Sequence, residues 1–263
     1  MTPERFLAEN WIFTRAELGE GLHIHQARCR ATLDSTLARW RRLGRIQRVK
    51  EGVYLRRDGP DDAPRDFYAL CAKLAPDAVL AYHTALEVHG LAQSVFERLT
   101  FATWTKTGRV HFAGRAFEPV RPRKPLQGAP NQDAWVEVLE RAGVAVRVTS
   151  LERTVVDVLD RPGLAGGPDE VWRSCRHVTA LDLRALEEYV VLLGRPGLTA
   201  RVGWFLETRT EDLAVPLKLL DRLRGRIPRS PVAVDRAPLS RLVSGWNLRV
   251  PESWAHPSED REA

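Results

Sequence analysis

A succession of local folding signals in the first 57 residues constrains this chain more than any other feature. The tetrapeptide Thr-Arg-Ala-Glu that starts at Thr14 is a capping box, in which the Thr14 hydroxyl accepts a hydrogen bond from the backbone N–H of Glu17 while the Glu17 carboxylate accepts one from that of Thr14. Phe13 and Leu18 flank the box at the spacing of a hydrophobic staple. The sequence therefore predicts a short helix that begins at Thr14.

Apolar residues with a helical period follow between residues 31 and 43. They are Leu33, Leu37, Trp40 and Leu43. This pattern predicts an amphipathic helix, and Gly44 stands where a helix-ending glycine is expected. Residues 45–49 and 53–57 are typical of two short strands around a turn at Gly52, which predicts a β-hairpin.

With a weaker helical signal over residues 1–9, these elements have the order helix, helix, helix, hairpin. That order predicts a winged helix-turn-helix domain. The segment between the second and third helices, residues 21–30, is longer than a normal turn. Either the third helix begins earlier, near His25, or the turn is expanded, and the sequence leaves both alternatives open.

The net positive charge of the chain is confined to this segment. Residues 1–57 contain 12 Lys and Arg against 6 Asp and Glu, a net charge of +6, and the whole chain has 40 against 34, also +6. The remaining residues therefore have 28 charges of each sign and are neutral. This asymmetry is typical of a protein that meets a polyanion with one end only, and the helix-plus-hairpin pattern favours duplex DNA.

The pattern also predicts roles for individual side chains. The third helix is expected to enter the major groove and to contact base edges through Ser35, Thr36, Arg39 and Arg42. Phosphate contacts, which set affinity and orientation, are expected from Arg28, Arg30, Arg41, Arg45, Arg48 and Lys50. His23 and His25 form a His-x-His pair without a third ligand nearby, so no metal site is expected.

A block of turn formers and acids at residues 58–64 marks the predicted end of this head. A larger domain is expected over residues 65–255, and residues 256–263 form a polar tail.

Within the larger domain, strand patterns precede helical ones. Residues 99–104 and 109–112 are predicted to pair as strands, and a second capping box predicts a helix from Thr149. Helical patterns dominate from Pro168 onward. We therefore expect an α+β fold: a winged helix-turn-helix followed by a larger mixed α+β domain with a helix-rich C-terminal part.

Composition excludes several classes of protein. No run of 18 apolar residues is present, and the N-terminus lacks the apolar region of a secretory signal. Cys29, Cys71 and Cys175 have no C-x-x-C spacing, so we expect small buried side chains in a reducing compartment. These observations predict a cytoplasmic protein without membrane contact.

The second domain shows no familiar catalytic motif. None of the five lysines follows the Asp/Glu-x-Lys pattern of restriction-type nucleases, and no Asp-x-Asp of a nucleotidyltransferase occurs. Serine hydrolase, zinc protease and Walker motifs are also absent. Arg153 and Asp157 have the spacing of an ordinary helix-surface ion pair. We expect neither catalytic residues nor a cofactor.

Three stretches together resemble the AbiEi-type antitoxins of type IV toxin–antitoxin systems. The N-terminal stretches FTRAEL, from Phe13, and GRIQRVKEGVY, from Gly44, are similar to the winged helix of that family. YHTALEVHGL, from Tyr82, is similar to its S-A-L-x-x-H-G-L segment, with Thr84 in place of the serine, and VTSLERTVVDVL, from Val148, resembles its E-K/R-T-L-x-D-x-L helix.

The resemblance implies a DNA-binding head that represses its own operon at an operator with inverted repeats, and a second domain that opposes a nucleotidyltransferase-like toxin. The alternative is a protein-binding module whose head tethers it to nucleic acid without sequence preference. A DNA-processing enzyme with an unfamiliar site is the third hypothesis.

A basic stretch near the end of the second domain contains Arg222, Arg224, Arg226 and Arg229. It is expected either to dock an acidic partner or nucleic-acid backbone, or to be a solvated helix end.

Overall fold

The structure, a computed structural model, describes residues 1–24, 30–59, 63–129, 133–234, 240–251 and 254. Its described residues form an α+β fold, as the sequence predicts. The α-helices are α1 (Pro3–Glu9), α2 (Arg15–Gly21), α3 (Arg30–Arg42), α4 (Phe67–Ala72), α5 (His83–Val88), α6 (Leu151–Asp160), α7 (Pro168–Arg176), α8 (Leu183–Leu193), α9 (Pro196–Thr208) and α10 (Leu217–Arg224). The strands are β1 (Ile12–Thr14), β2 (Ile46–Lys50), β3 (Val53–Arg56), β4 (Val79–Leu80), β5 (Arg98–Ala102), β6 (Val110–Phe112), β7 (Arg115–Val120), β8 (Val136–Arg141), β9 (Val144–Thr149), β10 (Val232–Ala233), β11 (Ser240–Val243) and β12 (Leu248–Pro251).

The contacts divide the chain into two compact units. The first consists of residues 1–80, 97–120 and 138–147, and the second of the described residues in 81–96, 121–137 and 148–263. The sequence analysis predicted a head and a second domain that are consecutive stretches of sequence, whereas each observed unit combines separate segments. The boundary at 58–64 stays a prediction.

The N-terminal segment forms three helices and a small antiparallel sheet. The capping box at Thr14 is confirmed, since its Oγ1 accepts a hydrogen bond from the N–H of Glu17 at 3.1 Å and its own N–H donates to Glu17 Oε2 at 2.8 Å. Strand β1, which the sequence analysis did not predict, pairs antiparallel with β3, and β3 pairs with β2 in the predicted hairpin. The segment 25–29, and with it the question of where α3 starts, lies outside the described residues.

One aromatic residue organises the core of this segment. The ring of Phe13 is fully buried and contacts the rings of Phe6, Trp40 and Tyr54, with centroid distances between 5.3 and 6.2 Å. The predicted apolar stripe of α3 joins this core through Leu33, Leu37 and Trp40. Leu43 was wrongly assigned to the stripe: α3 ends at Arg42, and the Leu43 side chain is 60% exposed.

A six-stranded sheet with the order β6-β7-β5-β4-β9-β8 lies almost entirely in the first unit. The predicted pairing of the strands near residues 99–104 and 109–112 is wrong. Strand β5 pairs antiparallel with β4 and parallel with β7, and β6 pairs with β7. The short segment between β5 and β6 therefore connects strands that are not neighbours, because β7 lies between them.

The second unit is rich in helices, as predicted, and contains the small sheet β10-β12-β11. Helix α6 begins one residue later than the predicted capping box. Its N-cap is Ser150, whose Oγ accepts a hydrogen bond from the N–H of Arg153 at 3.4 Å, while Thr149 ends strand β9. Glu152 therefore does not complete a capping box; its carboxylate accepts the N–H of Asp182.

Gly203 of α9 packs against a fully buried indole. A Cβ at this position would lie 2.1 Å from Cζ3 and 2.3 Å from Cη2 of Trp246. We expect Gly203→Ala to lower the free energy of unfolding, because overpacking costs about 1–3 kcal/mol or more and exceeds the gain of about 1 kcal/mol in helix propensity. Urea denaturation measures this change. Gly245→Ala is the matched control, since its Cβ meets no atom within 4 Å, and equal losses for the two variants would contradict the packing argument.

Candidate nucleic-acid interface

Helix α3 has one buried and one exposed face. Ser35, Ala38 and Arg42 are exposed and lie on one stripe of the helix, since residues three and four apart share a face. The opposite face is buried through residues such as Leu37. Thr36 belongs to that opposite face, with 9% of its surface exposed. This burial speaks against its predicted contact with base edges.

Two predicted DNA-binding arginines share one carboxylate at the edge of this surface. Glu4 of α1 accepts a hydrogen bond from Arg45 Nη1 at 2.5 Å and another from Arg39 Nη2 at 3.4 Å. The hydrogen bond from Arg45 is the main reason that the pKa of Glu4 is lowered. Arg39 and Arg45 therefore lie close together, but their charge is partly neutralised within the protein.

The remaining predicted cations of the head differ in their surroundings. Arg41, Arg42 and Arg48 are exposed, and the described part of the chain contains no ion pair with any of them. Arg28 lies outside the described residues, and for Arg30 only the backbone, at the start of α3, is described.

The acidic residue on the exposed side of α3 is also paired. Asp34 Oδ1 accepts a hydrogen bond at 3.0 Å from Nε of Arg15, at the start of α2, and Nη2 of Arg15 lies 2.9 Å from the same oxygen. This pairing reduces the repulsion that a free carboxylate would exert on a phosphate backbone.

Lys50, a predicted phosphate contact, is half-buried. Its Nζ donates hydrogen bonds to the Leu74 carbonyl at 2.9 Å and to Thr107 Oγ1 at 2.7 Å, and burial lowers the pKa of the ammonium group. The strand register shifts between Arg48 and Lys50, so the alternation that predicts a common face for these two residues is broken. The predicted contact of Lys50 with a DNA phosphate stays a prediction, and that contact requires the ammonium group to leave its two acceptors.

The basic stretch of the second unit is partly neutralised. Arg222 forms a two-pronged ion pair with Glu187, at 2.6 and 2.7 Å. Arg224 pairs with Asp221 and Glu207, and its guanidinium lies 5.0 Å from the ring centroid of Trp246. Arg226 and Arg229 are exposed. Two of the four arginines of the predicted docking patch, Arg222 and Arg224, therefore form ion pairs within the chain.

A buried polar cluster in the second unit was missed by the sequence analysis. Arg153 and Asp157 of α6 are 5% and 6% exposed and lie 3.3 Å apart, and the Tyr189 hydroxyl donates to Asp157 Oδ1 at 2.8 Å. Burial raises the pKa of Asp157 against the opposing effect of Arg153 and Tyr189. The only available sequence signal was the Val-rich context of this pair, since its i,i+4 spacing is common on exposed helices.

Two other buried features were also unforeseen. Tyr82, which precedes α5, has a positive φ of 56°, and its hydroxyl accepts a hydrogen bond from Arg161 Nη1 at 2.9 Å. Burial raises the pKa of Tyr82 to about 12. His83 is buried between Glu87 and Glu170. Burial would raise the pKa of Glu170, but hydrogen bonds from Ser94 and Gln93 lower it.

Cys71 and Cys175 are buried, as predicted, and burial raises the pKa of both thiols, that of Cys175 to about 12. Cys29 and His25 are not among the described residues.

Within the described ranges, no helix has the length and apolar character needed to cross a membrane. In the same ranges, no group of three or more His, Cys, Asp or Glu side chains could hold a metal ion.

Comparisons with known proteins bear on the fold alone. No family model matches the chain, and no curated protein matches it. Among solved structures, the chain is similar to the crystal structure of the RV2827C protein from Mycobacterium tuberculosis, with a TM-score of 0.58 and 16% sequence identity over 94% of this chain and 90% of that chain. The α+β architecture of this chain is therefore shared with that protein over nearly the whole length of both.

Proposed function

We propose that this protein is a sequence-specific DNA-binding transcriptional regulator. The observation that supports it best is the exposed stripe of α3, which combines Ser35 and Arg42 and is flanked by Arg41. The order of α1, β1, α2, α3 and the β2–β3 hairpin is also the order of elements in winged helix-turn-helix domains. The concentration of net charge in residues 1–57 supports a polyanionic partner.

In this proposal, α3 lies in the major groove of duplex DNA. Arg42 contacts a guanine through its two-pronged guanidinium, and the Ser35 hydroxyl, which donates to the Thr32 carbonyl at 2.9 Å, accepts a hydrogen bond from a base. Arg41 and Arg48 contact phosphates on either side. Arg39 serves as a secondary contact, because it must first release Glu4.

The regulator is further proposed to repress its own operon and to act as an antitoxin. The support for this part is the resemblance of three sequence stretches to the AbiEi-type antitoxins. The partner would be a nucleotidyltransferase-like toxin, which the second unit opposes through its surface. A growth assay tests this part. Cells express such a toxin, encoded by a gene next to that of this chain, and their growth is compared with and without this chain.

Selection from a randomised pool of DNA duplexes tests the DNA-binding part. We expect the full chain to enrich one short motif, because base-edge contacts of the α3 stripe distinguish base pairs. The variant Arg42→Ala should relax the preference at one base position of that motif, whereas Lys218→Ala, at an exposed lysine of α10, should leave the motif unchanged. Retention of DNA without any enriched motif would favour the alternative, a protein-binding module with a non-specific tether.

A further inference from the structure

A cavity of about 720 Å³ lies within the first unit, beside the turn of the β2–β3 hairpin. Its other walls come from the start of α2, the end of α4 with the residues after it, the loop before β6, and strand β9. This volume falls in the range of about 300–1,000 Å³ that is typical of small-molecule sites. Neither Ser35, Arg41 nor Arg42 lines the cavity, so it is separate from the proposed DNA-contacting stripe.

The walls of the cavity have an excess of positive charge. The lining contains five cations and two acids: Arg15, Lys50, Lys73, Lys106 and Arg147 against Glu17 and Glu51. Asp34, outside the lining, pairs with Arg15, so the net charge of +3 falls to +2 when Asp34 is included. Both carboxylate oxygens of Glu17 are engaged, one by the N–H of Thr14 and the other by Lys73 Nζ. Such a cavity attracts an anion, and its excess of positive charge favours one with two negative charges.

Lys50 is the cation best placed to hold that anion. It is half-buried, and the two acceptors of its ammonium group, the Leu74 carbonyl and the Thr107 hydroxyl, are both neutral. No carboxylate forms an ion pair with it in the described part of the chain, and burial lowers its pKa against the opposing effect of Glu51. A partly desolvated charge that has no carboxylate in direct contact gains free energy when an anion binds beside it.

Apart from Thr14, Thr105 and Thr107, the uncharged part of the lining is apolar, and none of it is aromatic. It includes Val53, Leu74, Pro76, Ala78 and Ala145. An inorganic ion would leave these walls uncovered, whereas an organic ligand would cover them and remove apolar surface from water. The lining therefore fits a ligand that joins an anionic group to a larger organic body.

We propose that this cavity binds a small organic phosphate, with the phosphate at Lys50 and the organic body against Leu74 and Pro76. A phosphate monoester or diphosphate has the required charge near neutral pH. Lys106, which is exposed, supplies further positive charge around it. The proposal does not depend on DNA binding.

Titration calorimetry of the full chain with ADP, inorganic pyrophosphate and adenosine tests this site. We expect ADP to bind more tightly than pyrophosphate, and adenosine not to bind. Lys50→Gln and Lys106→Gln should each weaken ADP binding by roughly tenfold or more, since each removes a charge-assisted interaction. Lys106 is exposed, so its variant tests the site even if Lys50→Gln impairs folding. Lys218→Gln, which removes a charge elsewhere, should have no effect.

Several outcomes would overturn the proposal. If neither ADP nor pyrophosphate binds at millimolar concentration, the cavity is not a phosphate site. Adenosine binding as tight as that of ADP would refute the role of charge, and pyrophosphate binding as tight as that of ADP would refute the role of the apolar walls. If Lys50→Gln weakens duplex binding and leaves ADP binding unchanged, the cavity belongs to the DNA surface. Loss of DNA binding alone would reject the proposed function and leave this site intact.

Discussion

Replacing Asp157 with alanine is expected to lower the free energy of unfolding by about 3–5 kcal/mol, because the change leaves the Arg153 guanidinium buried without its counter-ion. Asp157 is the acceptor for both Arg153 Nε, at 3.3 Å, and the Tyr189 hydroxyl, at 2.8 Å. A buried charge that loses this carboxylate cannot recover the lost interaction from water. Urea denaturation of the full chain followed by tryptophan fluorescence measures the loss.

The chain offers a matched control for this prediction. Arg184 and Glu188 of α8 form an ion pair with the same four-residue spacing, at 3.0 Å, but their side chains are 88% and 56% exposed. Glu188→Ala should cost at most about 0.5 kcal/mol, as is usual for exposed helix pairs. If the two alanine variants unfolded at the same urea concentration, burial would not be the source of the Asp157 effect.

These two pairs show why the sequence could not identify the buried cluster. The spacing of Arg153 and Asp157 is identical to that of Arg184 and Glu188. This spacing does not determine which face of a helix is covered by the rest of the fold. The answer depends on Tyr189, which is distant in sequence and packs on α6 only in the folded chain. Buried charge pairs are therefore visible only after tertiary packing is known.

The elements of the N-terminal segment were predictable because their signals are local. The capping box at Thr14 and the left-handed Gly44 after α3 each act within one helical turn. Strand β1 was not predictable in this way, since three residues have no period of their own. It exists because Phe13 is buried between rings from α1, α3 and β3.

The strand order of the six-stranded sheet could not be predicted from local sequence patterns, because it depends on which distant strands pair. Strands β5 and β7 pair in parallel although the short strand β6 lies between them in sequence. Strand β7 also contains Glu118 and Pro119, which made its segment unlike a strand. The predicted hairpin between β5 and β6 followed the preference for neighbouring strands to pair, which this fold does not obey.

The surface proposed to contact DNA was predicted in part. Periodicity placed Ser35 and Arg42 on the exposed side of α3, where they are found. It did not reveal that Thr36 is covered or that Glu4 holds Arg39 and Arg45, because both depend on how α1 packs beside α3. Burial and pairing thus reduce the predicted set to a smaller group of exposed cations.

The second large effect is expected on DNA binding. Arg42→Ala should weaken binding to the selected motif by about 1–3 kcal/mol, or roughly 5- to 150-fold, because it removes a two-pronged base contact. The double variant Arg41→Ala, Arg48→Ala should weaken binding to every duplex alike. It should also reduce the slope of log affinity against log salt concentration by about 2, since each phosphate contact contributes about 0.9. Fluorescence anisotropy at several salt concentrations measures both changes.

The proposed interface is tested by comparing Arg42→Ala with the double variant Arg41→Ala, Arg48→Ala. Base contacts change sequence preference and leave the salt slope nearly unaltered, whereas phosphate contacts do the reverse. Lys218→Ala removes one exposed charge from the second unit and should change neither quantity. If Arg42→Ala and the double variant produced the same sequence-independent loss, α3 would not lie in the major groove with this stripe facing the bases. If neither variant altered binding, the cations of the head would not contact DNA, and the proposed function would be wrong.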